Sequence, residues 1–213
     1  AADDPAAFHG SLFIYKADST EIVMIKEFGV LPDGTAVQEI TLKKGSLEAS
    51  ILTLGAIIRD LKVDGQSVVL GFEDLQSYVE HSRYFGVIAG RCANRIGGGR
   101  MKIDGVTYQL DQNERGINHL HGGSLGFSSR VWQVEQHDKA SVLLKLVSED
   151  GDMGYPGRVE VLARYTLTGT GALRLKITAT TDKTTPVNLT QHAYFNLDGS
   201  SNILDHTLEI AAE

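Results

Sequence analysis

Turn-forming residue pairs recur through this chain at short intervals, and the segments between them alternate in polarity. Asp33-Gly34, Asp64-Gly65, Asp104-Gly105, Gly169-Thr170-Gly171 and Asp198-Gly199 are combinations that accept the positive φ angles of tight turns. Val159, Val161, Ala163, Tyr165 and Leu167 alternate with Arg158, Glu160, Leu162, Arg164 and Thr166. Leu173, Leu175, Ile177 and Ala179 alternate in the same way with Arg174, Lys176, Thr178 and Thr180. A period of two puts one set on each face of a strand, so these runs and the glycine turn between them predict a hairpin. Residues 101–103 and 106–110 flank Asp104-Gly105 similarly. Only residues 74–81 read as helical, with an acidic start and Leu75, Tyr78 and Val79 at helical spacing. Many short strands with glycine-bearing turns predict an all-β fold, a sandwich or barrel.

The 213 residues suffice for one sizeable core. A hydrophobic share of 42% with 22% charged residues fits an ordinary globular chain. The formal charge of −7 disfavours nucleic acid or an anionic membrane as partner, since both call for a basic footprint. Small neutral ligands are compatible with it. The single cysteine, Cys92, excludes an internal disulfide framework. It points to a free buried thiol in a reducing, cytoplasmic compartment, although one cysteine is also tolerated in periplasmic or secreted chains. No run approaches the roughly 20 apolar residues of a membrane helix, and the opening AADDPAAFHG lacks the basic and apolar regions of a signal peptide.

NLTQHAYFNLDG, residues 188–199, sets a histidine inside an apparent strand. From Val187 onward one row is mostly apolar, with Leu189, Ala193, Phe195 and Leu197, and is expected to enter the core. The other, Asn188, Thr190, His192, Tyr194 and Asn196, is polar yet uncharged, as a pocket for a hydroxyl-rich ligand would be. Three more stretches stand apart from the strand pattern: GRCANRIGGGR, residues 90–100; NHLHGG, residues 118–123; and the acidic SEDGDMGYPG, residues 148–157. The first is no phosphate loop, because Gly-Lys-Ser/Thr is absent from it. His119, His121 and His192 offer three nitrogens, as catalytic zinc sites do, but His-x-His alone is a weak motif and no carboxylate stands at ligand spacing. His119, beside a glycine turn, reads as a surface or structural histidine. Tyr194 and Trp132 are candidates both for stacking on a ring and for the core. At the C-terminal end HTLEIAAE, residues 206–213, alternates like a further strand.

GRCANRI, NHLHGG, GYPG and TPVNLTQHAYFNL, in that order and joined by GFSSRVWQVE, residues 126–135, strongly resemble the galactose mutarotase (aldose 1-epimerase) family. The resemblance covers residues 29–213, leaving 1–28 as an extension of unclear role. It implies a large antiparallel β-sandwich with a sugar pocket on a concave face, no metal or organic cofactor, and a free hexose such as galactose or glucose as substrate. The family's sugar-binding Asn-Arg pair falls on Asn94 and Arg95, its LHGG histidine on His121, and its general acid on His192. The family also uses a substrate-binding aspartate and a general-base glutamate from a later part of the chain, which these 213 residues do not reach. The expectation is therefore a sandwich cut short and completed by a further C-terminal segment. The implied activity is interconversion of α and β anomers by acid-base ring opening. The alternatives are a sugar-binding module without the base and a hexose-phosphate epimerase, the latter needing extra basic residues for the phosphate.

Overall fold

The computed structural model describes residues 12–16, 22–81 and 84–211. A six-stranded antiparallel sheet is built in chain order from β1 (Leu12–Lys16), β2 (Ile22–Val30), β3 (Ala36–Lys44), β4 (Leu47–Leu52), β5 (Ile58–Val63) and β6 (Gln66–Ser67). One helix, α1 (Leu75–Glu80), follows. Short strands come next: β7 (Ile88–Ala89), β8 (Arg95–Ile96), β9 (Arg100–Ile103), β10 (Val106–Gln109) and β11 (His119–Leu120). A four-stranded antiparallel sheet is then formed by β12 (Gln133–His137), β13 (Ser141–Ser148), β14 (Val159–Leu167) and β15 (Leu173–Thr181), before the short β16 (Thr190–Gln191).

The two large sheets pack face to face. Ile40, Leu42, Ala49 and Ile51 of the first share one buried cluster with Val142, Leu144, Val161, Ala163 and Tyr165 of the second. Period two decides who enters it: Val159, Val161, Ala163, Tyr165 and Leu167 are all fully buried while their neighbours along β14 are half-exposed. The Tyr165 hydroxyl donates to the Ala56 carbonyl at 2.7 Å, satisfying a buried polar group across the interface. A second cluster, with Leu54, Ile57, Leu75, Tyr78 and Val87, lies under α1.

Local chemistry accounts for the turns. Asp64-Gly65 and Asp104-Gly105 have φ of 50°, 85°, 47° and 83°, the two successive positive angles of a type I′ hairpin turn, which matches the twist of its strands. The Asp74 side chain accepts from the Ser77 N–H at 2.8 Å and caps α1, as the acidic start predicted. β14 and β15 form the expected hairpin with unbroken register, and β9 and β10 do the same around residues 104–105. Strand β2 pairs with β3, with a shift of register between Glu27 and Gly29.

Two expected strands are not strands. In residues 187–197 only Thr190 and Gln191 form a ladder, with β7. Beyond them lie single bridges from Asn188 to Cys92 and from Phe195 to Val69. The backbone changes partner every few residues, so no single face persists. Leu189 and Ala193 pack on the core, whereas Val187, Phe195 and Leu197 are exposed. Residues 206–211 are likewise irregular, with Leu208 and Ile210 exposed. Alternation alone does not make a strand without an edge to pair with.

Candidate active site

Residues 87–90 are fully buried, and the chain then emerges to exposed Asn94 and Arg95. Gly90 is the meeting point of three segments. A Cβ there would strike the Phe127 ring and the Leu189 side chain, and a Cβ on Gly122 (φ 90°) would collide with the Gly90 carbonyl. Glycine at both positions lets the GRCANR and LHGG backbones touch directly, with NLTQH packed against them.

That contact sets up the next. β8 pairs with β11, placing Leu120 opposite Arg95, so His121 emerges beside Asn94. The His121 N–H donates to the Asn94 carbonyl at 3.1 Å, and the Asn94 N–H donates to His121 Nδ1 at 3.1 Å. An accepting Nδ1 leaves the ring proton on Nε2, where it is available to a ligand oxygen. Burial, the neighbouring His192 and Arg95 together hold the His121 imidazole below its usual pKa, favouring this neutral form at pH 7. Both residues have left-handed backbones, φ 61° at Asn94 and 51° at His121, a conformation uncommon for residues other than glycine that needs support from its surroundings.

His192 arrives on the third segment. Its N–H donates to the Val87 carbonyl at 2.8 Å, and its carbonyl accepts from the Gly86 N–H at 3.1 Å. The ring stands 5.1 Å from that of His121, nearly perpendicular to it. Tyr84 packs against both, 4.6 Å from His121 and 6.0 Å from His192, and the exposed Tyr194 lies 5.1 Å from His192. Among the described residues the His192 ring makes contacts with these rings but no hydrogen bond. Arg95 extends over the Asn94 side, its Nη1 donating to Asn94 Oδ1 at 3.4 Å.

All four residues singled out in the sequence, Asn94, Arg95, His121 and His192, therefore gather on one open face. His119 does not. It is fully buried, with Nδ1 2.6 Å from the Asp111 carbonyl and Nε2 2.6 Å from the Tyr155 hydroxyl. Both nitrogens are engaged internally, which rules it out as a partner of His121 and His192 in a metal site and makes it a structural histidine rather than a surface one. Trp132 is also core, its Nε1 donating to the Phe127 carbonyl at 3.2 Å.

Three contributors escaped sequence reasoning: Tyr84, Glu114 and Arg91. Glu114 accepts from Arg95 Nε at 2.8 Å and Nη2 at 2.6 Å. Arg91 sits behind the site, 1% exposed. Its position one glycine after the apolar run Val87, Ile88, Ala89 was the available signal.

A sequence model of the family described as aldose 1-epimerase matches residues 38–213. The chain belongs to the aldose 1-epimerase family. It is 43% identical over 194 residues to a galactose mutarotase of Rattus norvegicus, covering 87% of this chain and 56% of the relative. It is 36% identical over 189 residues to an aldose 1-epimerase of Escherichia coli, covering 85% and 54%. Among solved structures, an aldose epimerase homologue from C. elegans superposes with a TM-score of 0.73 at 33% identity, covering 78% of this chain and 52% of the other. A galactose 1-epimerase from Lactobacillus acidophilus superposes with a TM-score of 0.70 at 28% identity, covering 90% and 54%. This aldose 1-epimerase family chain spans about half the length of the relatives it matches.

Proposed function

We propose that the protein is an aldose 1-epimerase acting on a free hexose such as galactose or glucose, with His192 as general acid and Asn94, Arg95 and His121 as sugar-binding groups. The observation that carries this reading is the His121–His192 pair, rings 5.1 Å apart, beside the exposed Asn94-Arg95 pair, whose one charge is balanced by Glu114.

Exchange of anomers requires the hemiacetal to open. A proton goes to the ring oxygen, the bond from that oxygen to the anomeric carbon breaks, and the anomeric hydroxyl gives up its proton as it becomes the aldehyde. The carbonyl then turns and the ring recloses on its opposite face. His192 delivers the first proton and takes it back on reclosure, a role suited to an imidazole near neutral pH. Nε2 of His121 and the Arg95 guanidinium hold oxygens of the ring, and Asn94 both donates and accepts toward a hydroxyl. The partner base is the glutamate that the family resemblance assigns to a later part of the chain. A hexose-phosphate substrate fits less well, because Glu114 already compensates the Arg95 charge.

Polarimetry of freshly dissolved α-D-galactose is the test. The protein is expected to accelerate the decay of optical rotation, and His192→Ala to slow it by about 10²–10⁴-fold while galactose binding weakens far less. Near-wild-type rates in the variant would remove His192 from the role. Binding without acceleration by the unaltered protein would instead favour a non-catalytic sugar-binding module.

A further inference from the structure

Arg95 is an exposed, long side chain, yet its guanidinium has a fixed orientation. Oε1 of Glu114 takes both Nε and Nη2, and Oε2 accepts from Asn118 Nδ2 at 3.0 Å. Glu114 is itself anchored: its N–H donates to the Asn118 carbonyl at 3.0 Å, and its carbonyl accepts from the Ile117 and Asn118 N–H groups at 3.0 and 3.1 Å. Asn118 Oδ1 accepts in turn from the Gly98 N–H at 3.3 Å, tying the turn to the loop that follows Arg95. The Glu114 side chain is 16% exposed against 54% for Arg95, so the carboxylate is the fixed partner. Its hydrogen bonds to Arg95 and Asn118 hold the carboxyl down at about 2, and it is ionised at any pH at which sugars are handled.

An ion pair this exposed contributes little to folding; its consequence is orientation. With one edge of the guanidinium occupied, the remaining donors lie on the Nη1 side, next to Asn94 Oδ1. The carboxylate also cancels a charge that would otherwise attract anions. We infer that Glu114 is a positioning and selectivity residue: it fixes Arg95 as a neutral-balanced hydrogen-bond donor for uncharged sugar hydroxyls and turns away phosphorylated sugars.

This inference rests on the aldose 1-epimerase reading for its kinetic arm and on binding alone for the other. Glu114→Ala is expected to raise the KM for galactose about tenfold while kcat changes by less than about threefold, with the thermal midpoint unmoved. Placed on Arg95→Ala, the same change is expected to add nothing. Glu114→Gln keeps the shape and loses the charge; in it galactose 6-phosphate, measured by calorimetry, is expected to bind about tenfold tighter relative to galactose than in the unaltered protein. An unchanged KM, a full effect in the Arg95→Ala background, or an unchanged preference between the two sugars would each overturn the assignment. Calorimetry needs no turnover, so a protein that binds galactose without interconverting its anomers would sink the catalytic reading and leave the role of Glu114 measurable.

Discussion

Arg91 and Arg95 lie four positions apart on one segment and do opposite things. Arg91 points back into the fold, donating to Ser148 Oγ and the Ser148 carbonyl at 3.0 Å, to the carbonyls of Glu149 and Pro156 at 2.7 and 2.9 Å, and to Thr185 Oγ1 at 3.3 Å. Its guanidinium carbon also lies 5.5 Å from the Tyr155 ring centre. Every part of that fork is consumed internally. Arg95 points forward, holds one carboxylate, and keeps donors to spare. His119 and His121, two positions apart on the facing segment, divide in the same way, one with both nitrogens engaged inside and the other with Nδ1 held and no hydrogen bond at Nε2 among the described residues. Residue type does not separate structure from chemistry here; what separates them is whether the polar atoms are already used up.

Substitution can break that division, and the back face should respond most strongly in stability. Arg91→Met removes the donor from three carbonyls, those of Ser148, Glu149 and Pro156. A loss of about 3 kcal/mol or more in urea denaturation is expected. Arg95→Met should lose less than about 0.5 kcal/mol. Equal losses would erase the distinction between the faces. Tyr155→Phe comes next. It takes the hydroxyl away from buried His119 Nε2, and about 1–2 kcal/mol of stability should go with it, with the galactose KM unmoved.

The smallest effect is in pH. Burial holds both His119 and His121 below the ordinary 6.5, so each binds a proton more readily in the unfolded chain. Their contribution to stability is complete above that value and is lost as the pH falls from there toward their depressed folded values. The urea midpoint should therefore drop between pH of about 7.5 and about 5.5, and drop less steeply in His119→Asn. An unaltered slope in that variant would mean that His119 is not among the groups responsible.

The sandwich was largely legible in the sequence because its signals are local. The five inward residues of β14 alternate on their own account, Asp74 caps the turn that follows it, and Asp64-Gly65 adopts its turn without help from elsewhere. Residues 187–197 were overread for the same reason: alternation is a property of one segment, whereas a ladder needs a second, and here the partner changes from Cys92 to β7 to Val69. The site was reachable through family motifs and not through spacing, since Asn94 and His121 meet across 27 positions. Glu114 was hidden because its meaning comes from a partner 19 positions away, and Tyr84 because nothing in its own neighbourhood says that two imidazoles will rest on it.

Gly90 and Gly122 give the site one more property. Where the first two motif segments cross, peptide lies directly on peptide, with no side chain between them to flex, and Leu189 of the third is wedged against the same spot. The spacing between the segments that carry Asn94 and His121 is then set by peptide planes rather than by a rotamer. A site assembled this way resembles a casting more than a hinge: the backbones are fixed against each other, and only the side chains they present are left to be tuned.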